Sequence, residues 1–70
     1  MKTSARNQFE GEVVSVEKGA VGAVVKVMVT KPMLVTAFIT KESVEELDLK
    51  KGDRAVAIVK STEVMIAKDI

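Results

Sequence analysis

Residues 23–30 read Ala-Val-Val-Lys-Val-Met-Val-Thr, and a stretch so rich in valine has few conformational options. A side chain branched at Cβ is stiff at χ1 and packs well on a pleated surface, so the run favours an extended strand. Its period of two puts Ala23, Val25, Val27 and Val29 on one face, and Val24, Lys26, Met28 and Thr30 on the other. Lys31-Pro32 must end it, because proline cannot donate to a ladder and biases Lys31 away from the helical region. The same period recurs along the chain. Residues 9–16 read F-E-G-E-V-V-S-V, with Gly11 marking a bulge or a close backbone approach, followed by turn chemistry in Glu17-Lys18-Gly19. Residues 34–39 resume the pattern, so a hairpin is expected around the proline. Ala55, Ala57 and Val59 alternate with Arg54, Val56, Ile58 and Lys60, and a short apolar run at 64–67 follows the Ser61-Thr62-Glu63 turn.

One interruption has a different period. Thr40 begins a stretch with acids in its first turns and with Val44 and Leu47 spaced to share a face, which predicts a short helix capped by the Thr40 side chain. A Lys50-Lys51-Gly52-Asp53 turn then leads into the next strand. The expected fold is all-β: a small OB-like barrel of about five strands with one short helix, forming a single domain over residues 1–70. An SH3-like barrel meets the same pattern.

A chain of 70 residues buries only about 60% of the surface its unfolded form exposes, so it needs a further source of stability. Cysteine and histidine are both absent, which removes disulfides and the usual structural zinc sites. Hydrophobic residues make up 47% of the chain, and the remaining route is association with further copies of itself. The net charge of +1 gives no basic field of the kind that drives non-specific nucleic-acid or membrane binding. No apolar run reaches the roughly 18 residues of a membrane span, and the first residues lack the apolar stretch of a secretion signal, so a cytoplasmic location is expected.

Ser4-Ala5-Arg6-Asn7-Gln8 and Lys60-Ser61-Thr62 each combine hydroxyls, backbone N–H groups and one cation, and neither contains a carboxylate. Such a set fits a tetrahedral oxyanion. Molybdate, tungstate and sulfate are fully deprotonated at neutral pH, so their ideal site offers donors only; hydrogenphosphate carries a proton and asks for an acceptor. Arg6 supplies a planar fork and Lys60 a compact charge, together balancing a dianion. Thr40 and Ser43, at the start of the helix, offer two more hydroxyls, although satisfying their own helix is the simpler use of both. The four methionines read as core filler. Without histidine or cysteine the commonest nucleophiles and bases are missing, so no catalysis is expected.

Four motifs in order carry a resemblance: Ser4-Ala5-Arg6-Asn7-Gln8-Phe9-x-Gly11, Lys18-Gly19-Ala20-Val21, Ile39-Thr40-x-x-Ser43-Val44-x-x-Leu47-x-Leu49-x-x-Gly52, and Val59-Lys60-Ser61-Thr62-x-Val64-Met65. Over nearly the whole chain this resembles the molbindins (Mop), small molybdate-binding proteins. The resemblance implies an OB-like fold, a homohexamer built as a trimer of dimers, and molybdate or tungstate held at subunit interfaces with no organic cofactor. It implies that Ser4 and Arg6 of one subunit act with Thr40, Ser43, Lys60 and Ser61 of its partner, and that Lys18, Gly19, Ala20 and Val21 form a second class of site. The chain departs from the pattern at Lys31-Pro32-Met33, where a glycine-rich hairpin is common, and at Glu63, where aspartate is common. Two rivals remain: an OB-type nucleic-acid binder, for which Phe9 and Phe38 are a meagre stacking platform, and an accessory domain that binds no anion.

Overall fold

The computed structural model describes residues 3–68. They fall into two units: Ala5–Val35, and a second made of residues 3–4 and 36–68.

The first unit is a hairpin. Strand β1 (Gly11–Lys18) pairs antiparallel with β2 (Ala23–Val29), and the chain reverses through Gly19–Gly22, where the Gly19 N–H donates to the Gly22 carbonyl at 2.7 Å. Glu17 and Lys18, read as turn residues from sequence, continue the strand instead; the turn starts two residues later, at Gly19. The register slips between Val13 and Ser15, leaving Val14 as an extra residue. This bulge explains the adjacent valines at 13 and 14. It allows Val13 and Val16, three apart in sequence, to lie opposite Val27 and Val25 on one face. Glu12, Ser15 and Glu17 oppose Met28, Lys26 and Val24 on the other. Gly11 serves the second of its two expected roles: a Cβ there would run into the Met28 carbonyl oxygen across the ladder.

Thr30 closes the open end of the hairpin, its N–H donating to the Glu10 carbonyl at 3.2 Å. Lys31 Nζ lies 2.6 Å from Glu10 Oε2. This pair holds the Glu10 carboxyl below the usual carboxylate range and the Lys31 ammonium above the usual lysine range, in both cases first through the hydrogen bond and then through charge attraction. The signs give a defined pH window. Glu10, bound more tightly as a carboxylate, contributes stability above its unfolded pKa and loses it as pH falls through the lower folded value; Lys31 loses its share as pH rises through its raised value. Both groups are exposed, so the effect on global stability is small. The clean readout is local: NMR titration is expected to place Glu10 below an ordinary glutamate, and Lys31→Met is expected to return it to that range. An unchanged Glu10 titration in the variant would dismiss the pair.

In the second unit, helix α1 (Lys41–Glu46) is capped as the sequence predicts, with the Thr40 side chain accepting from the Ser43 N–H. At the other end the Leu49 N–H returns to the Val44 carbonyl at 3.2 Å, and Asp48 takes a left-handed conformation, φ 50°. Asp48 also reaches Lys50 Nζ at 3.3 Å. The following turn is closed by the Asp53 N–H on the Lys50 carbonyl and by Asp53 Oδ2 accepting from the Lys50 N–H, with Gly52 supplying φ 95°. Residues 61–63 form one 3₁₀ turn.

The chain is thus extended in character with one short helix, as expected, but among the described residues only β1 and β2 form a ladder, in an open two-stranded sheet. The five-stranded barrel is not closed: residues 34–39, 54–59 and 64–67 join no sheet. The physical reason is the missing core. No described side chain is buried, and Val44 and Leu47, expected to face a core, are 37% and 66% exposed. A period of two marks which residues would line a barrel; it does not supply the second layer they must be buried against.

Candidate oxyanion site

The segment around Arg6 is irregular, and a local contact shapes it: the Gln8 side-chain amide donates to the Ala5 carbonyl at 3.1 Å. Arg6 itself is exposed and forms no ion pair among the described residues. It belongs to the hairpin unit, as does the Lys18–Val21 segment.

Ser4, Thr40, Ser43, Lys60 and Ser61 all belong to the other unit. Thr40 and Ser43 are brought together by the helix cap. The Thr40 hydroxyl accepts from the Ser43 N–H at 3.0 Å and donates to Ser43 Oγ at 2.8 Å. The Thr40 proton is therefore committed locally, while Ser43, which is half-exposed, accepts that bond and keeps its own proton to give. Of the two expected anion donors on the helix, Ser43 is the better placed chemically. Its N–H is already used by Thr40, so the helix start offers less to an anion than an uncapped one.

Lys60 is extended, φ −71° and ψ 135°, and immediately precedes the 3₁₀ turn that begins at Ser61. Its carbonyl accepts from the Glu63 N–H at 2.9 Å. This turn redirects the chain just past Lys60, leaving its ammonium exposed and without an ion-pair partner among the described residues. Glu63 lies in the same turn, the nearest carboxylate in sequence to the Lys60-Ser61 pair.

The second-class segment sits at the tip of the hairpin, where a shallow open cleft is lined by Glu17, Lys18, Gly19, Gly22, Ala23 and Val24. Val21 projects fully into solvent. Here the donors-only rule is broken: Glu17 faces the same cleft as Lys18, and a carboxylate repels a dianion. Sequence reading named Lys18 and its loop but overlooked Glu17, which stands beside Lys18 in the chain and was assigned to a turn. No group of three or more His, Cys, Asp or Glu side chains that could hold a metal ion occurs among the described residues. Among the same residues no helix is long and apolar enough to cross a membrane.

Comparison with known families identifies the class of the chain: residues 3–66 match the TOBE domain. The chain belongs to that family, in its branch of small molybdenum-pterin-binding (Mop) proteins. It is 47% identical over 66 residues to molybdenum-pterin-binding protein 2 of Clostridium pasteurianum, covering 94% of this chain and 97% of the relative. Identity is 42% over 66 residues to a probable molybdenum-pterin-binding protein of Haemophilus influenzae, covering 94% and 96%. The molybdenum transport protein ModE of Azotobacter vinelandii is 42% identical over 69 residues, 99% of this chain and 26% of that protein. No solved structure matches the chain.

Proposed function

We propose that the protein binds molybdate or tungstate, without chemistry on the ion, as a homo-oligomeric store, buffer or delivery protein of the cytoplasm. The observation that carries this is the full-length similarity to relatives named for molybdenum-pterin binding, together with a donor set of Ser4, Arg6, Thr40, Ser43, Lys60 and Ser61 that contains no carboxylate. Arg6 and Lys60 neutralise the dianion; Ser43 and Ser61 donate hydroxyl hydrogen bonds to its oxygens; Thr40 orients Ser43. Ser4 adds a further hydroxyl. The Lys18–Val21 loop is at most a weaker second site, because Glu17 shares its cleft.

The absent core supports assembly. Among the described residues no side chain is buried, and large obligate interfaces bury 2,000–5,000 Å² or more between partners. In this reading the single domain and its five-stranded barrel are completed only in the oligomer, expected to be a hexamer built as a trimer of dimers.

The relatives' names include a pterin, so the test sets the free ion against the organic compound. Titration calorimetry with molybdate, tungstate, sulfate and molybdopterin, joined to native mass spectrometry for subunit and ion counts, is the experiment. Molybdate and tungstate are expected to bind alike, since their size and charge match. Sulfate is expected to bind more weakly, because a pocket shaped for the larger ion leaves some donors beyond good hydrogen-bond distance. Sulfate binding as tightly as molybdate would refute the size argument, and binding of molybdopterin alone would refute the free-ion site.

A further inference from the structure

We infer that Lys31 serves the oxyanion site by neutralising Glu10, so that the segment carrying Arg6 keeps a net positive charge toward the dianion. The inference rests on the molybdate-binding reading proposed above and adds to it a positioning residue that touches no ligand.

Arg6 has one acid close to it in the chain. Residues 4–10 read Ser-Ala-Arg-Asn-Gln-Phe-Glu, so Arg6 and Glu10 are the only charged side chains among them, and their charges cancel. Four residues span at most about 14 Å when fully extended, and the bond from the Gln8 amide to the Ala5 carbonyl bends this stretch. The separation is comparable to a Debye length of about 8–10 Å, so the carboxylate's field at Arg6 is only partly screened. A dianion feels that field with twice the charge of a single ion.

Lys31 removes the opposing charge. Its Nζ donates to Glu10 Oε2 at 2.6 Å. The contact does not rest on two flexible side chains alone. Thr30, the neighbour of Lys31, holds the Glu10 carbonyl twice, through its N–H at 3.2 Å and its hydroxyl at 3.4 Å. On the other side Pro32 restricts the backbone of Lys31. All these residues belong to the same unit as Arg6.

Two observations separate this task from a purely structural one. The hairpin unit holds three acids, Glu10, Glu12 and Glu17, and among the described residues only the one nearest Arg6 forms an ion pair. The open end of the hairpin is closed by the backbone bond from Thr30 to Glu10, which does not need the Lys31 side chain.

The test is titration calorimetry with molybdate on the full chain, its Lys31→Met, Lys31→Arg and Glu10→Gln variants and the Glu10→Gln/Lys31→Met double variant, all at one chain concentration. Lys31→Met is expected to weaken binding about two- to fivefold, the change that matches an exposed charge pair. Lys31→Arg, which keeps the charge, is expected to bind like the unaltered chain. Glu10→Gln is expected to bind at least as tightly as the unaltered chain, and the double variant to recover what Lys31→Met loses, because no carboxylate is left to mask. A double variant as weak as Lys31→Met would show that Lys31 acts through structure, and weaker binding by Glu10→Gln would equally overturn the inference; the latter outcome stands even if Lys31→Met fails to fold. If the unaltered chain binds molybdate and Lys31→Met binds it as tightly, this inference falls while the proposed function stands. If the unaltered chain does not bind molybdate, both fall.

Discussion

Subunits carrying Arg6→Ala and subunits carrying Lys60→Ala, each deficient in molybdate binding when assembled alone, are expected to recover tight binding when mixed. The two residues lie in different structural units of the chain, Arg6 with the hairpin and Lys60 with the C-terminal unit. Both side chains are exposed cations that form no ion pair among the described residues, so neither is committed to a structural role that its loss would disrupt. Either truncation leaves a dianion facing one positive charge where it needs two. Removing one partner of a desolvated ionic contact costs about 2–5 kcal/mol, which weakens binding at least tenfold. Arg6→Lys is expected to impair binding as well, because an ammonium cannot reproduce the guanidinium fork. In a mixed dimer one interface unites the intact Arg6 of one chain with the intact Lys60 of the other, and the second interface lacks both. Calorimetry on the mixture is then expected to show tight sites whose number rises with the fraction of mixed dimers. If mixed assemblies form, as seen by mass, and no tight binding returns, both residues serve a site within one chain.

Why some of this was legible in sequence and some was not follows from how local each signal is. Thr40 as a cap needs only its neighbours, since its oxygen reaches the N–H three residues on, and the helix begins where the residues predict. The turn at Lys50–Asp53 is similarly self-contained. The bulge at Val14 was half legible: a bulge was one of two readings of Gly11, but the register slips between Val13 and Ser15 instead. The Glu10–Lys31 pair spans the hairpin and becomes visible only once the register is fixed. The barrel belongs to the other extreme. The period at residues 34–39 and 54–59 marks strand-forming segments correctly in kind, yet period carries no information on which edge, or whose, a strand will join. Pairing is a long-range property, and among the described residues these segments join no sheet and no side chain is buried. The site shares this limit: the residue types describe a set of donors without a carboxylate, whereas no local pattern says which Arg6 would meet which Lys60.

Gly11→Ala is expected to lower the melting temperature by several degrees, while Gly22→Ala leaves it nearly unchanged. The two glycines flank the same hairpin but meet different surroundings. At Gly22 an added Cβ finds nothing within 4 Å, and the residue has no positive φ to punish a side chain. At Gly11 the same methyl collides with the Met28 carbonyl oxygen and comes within 2.8 Å of its carbon and 2.9 Å of Val27 Cγ1. A flexible side-chain tip could move aside, but two of the three obstacles are ladder backbone, and shifting them disturbs the pairing of Gly11 with Val29 and Glu12 with Met28. Overpacking of this kind costs about 1–3 kcal/mol. A domain of this size has a total stability of roughly 0.05–0.15 kcal/mol per residue, so the loss is a large share of the whole. Each kcal/mol corresponds to about 4–8 °C in a small domain. Because assembly contributes to the apparent stability, the variants must be compared at one chain concentration. Melts followed by far-UV circular dichroism provide the check, and equal melting temperatures for the two variants would show that β1 does not cross β2 as closely as the Gly11–Val29 register requires.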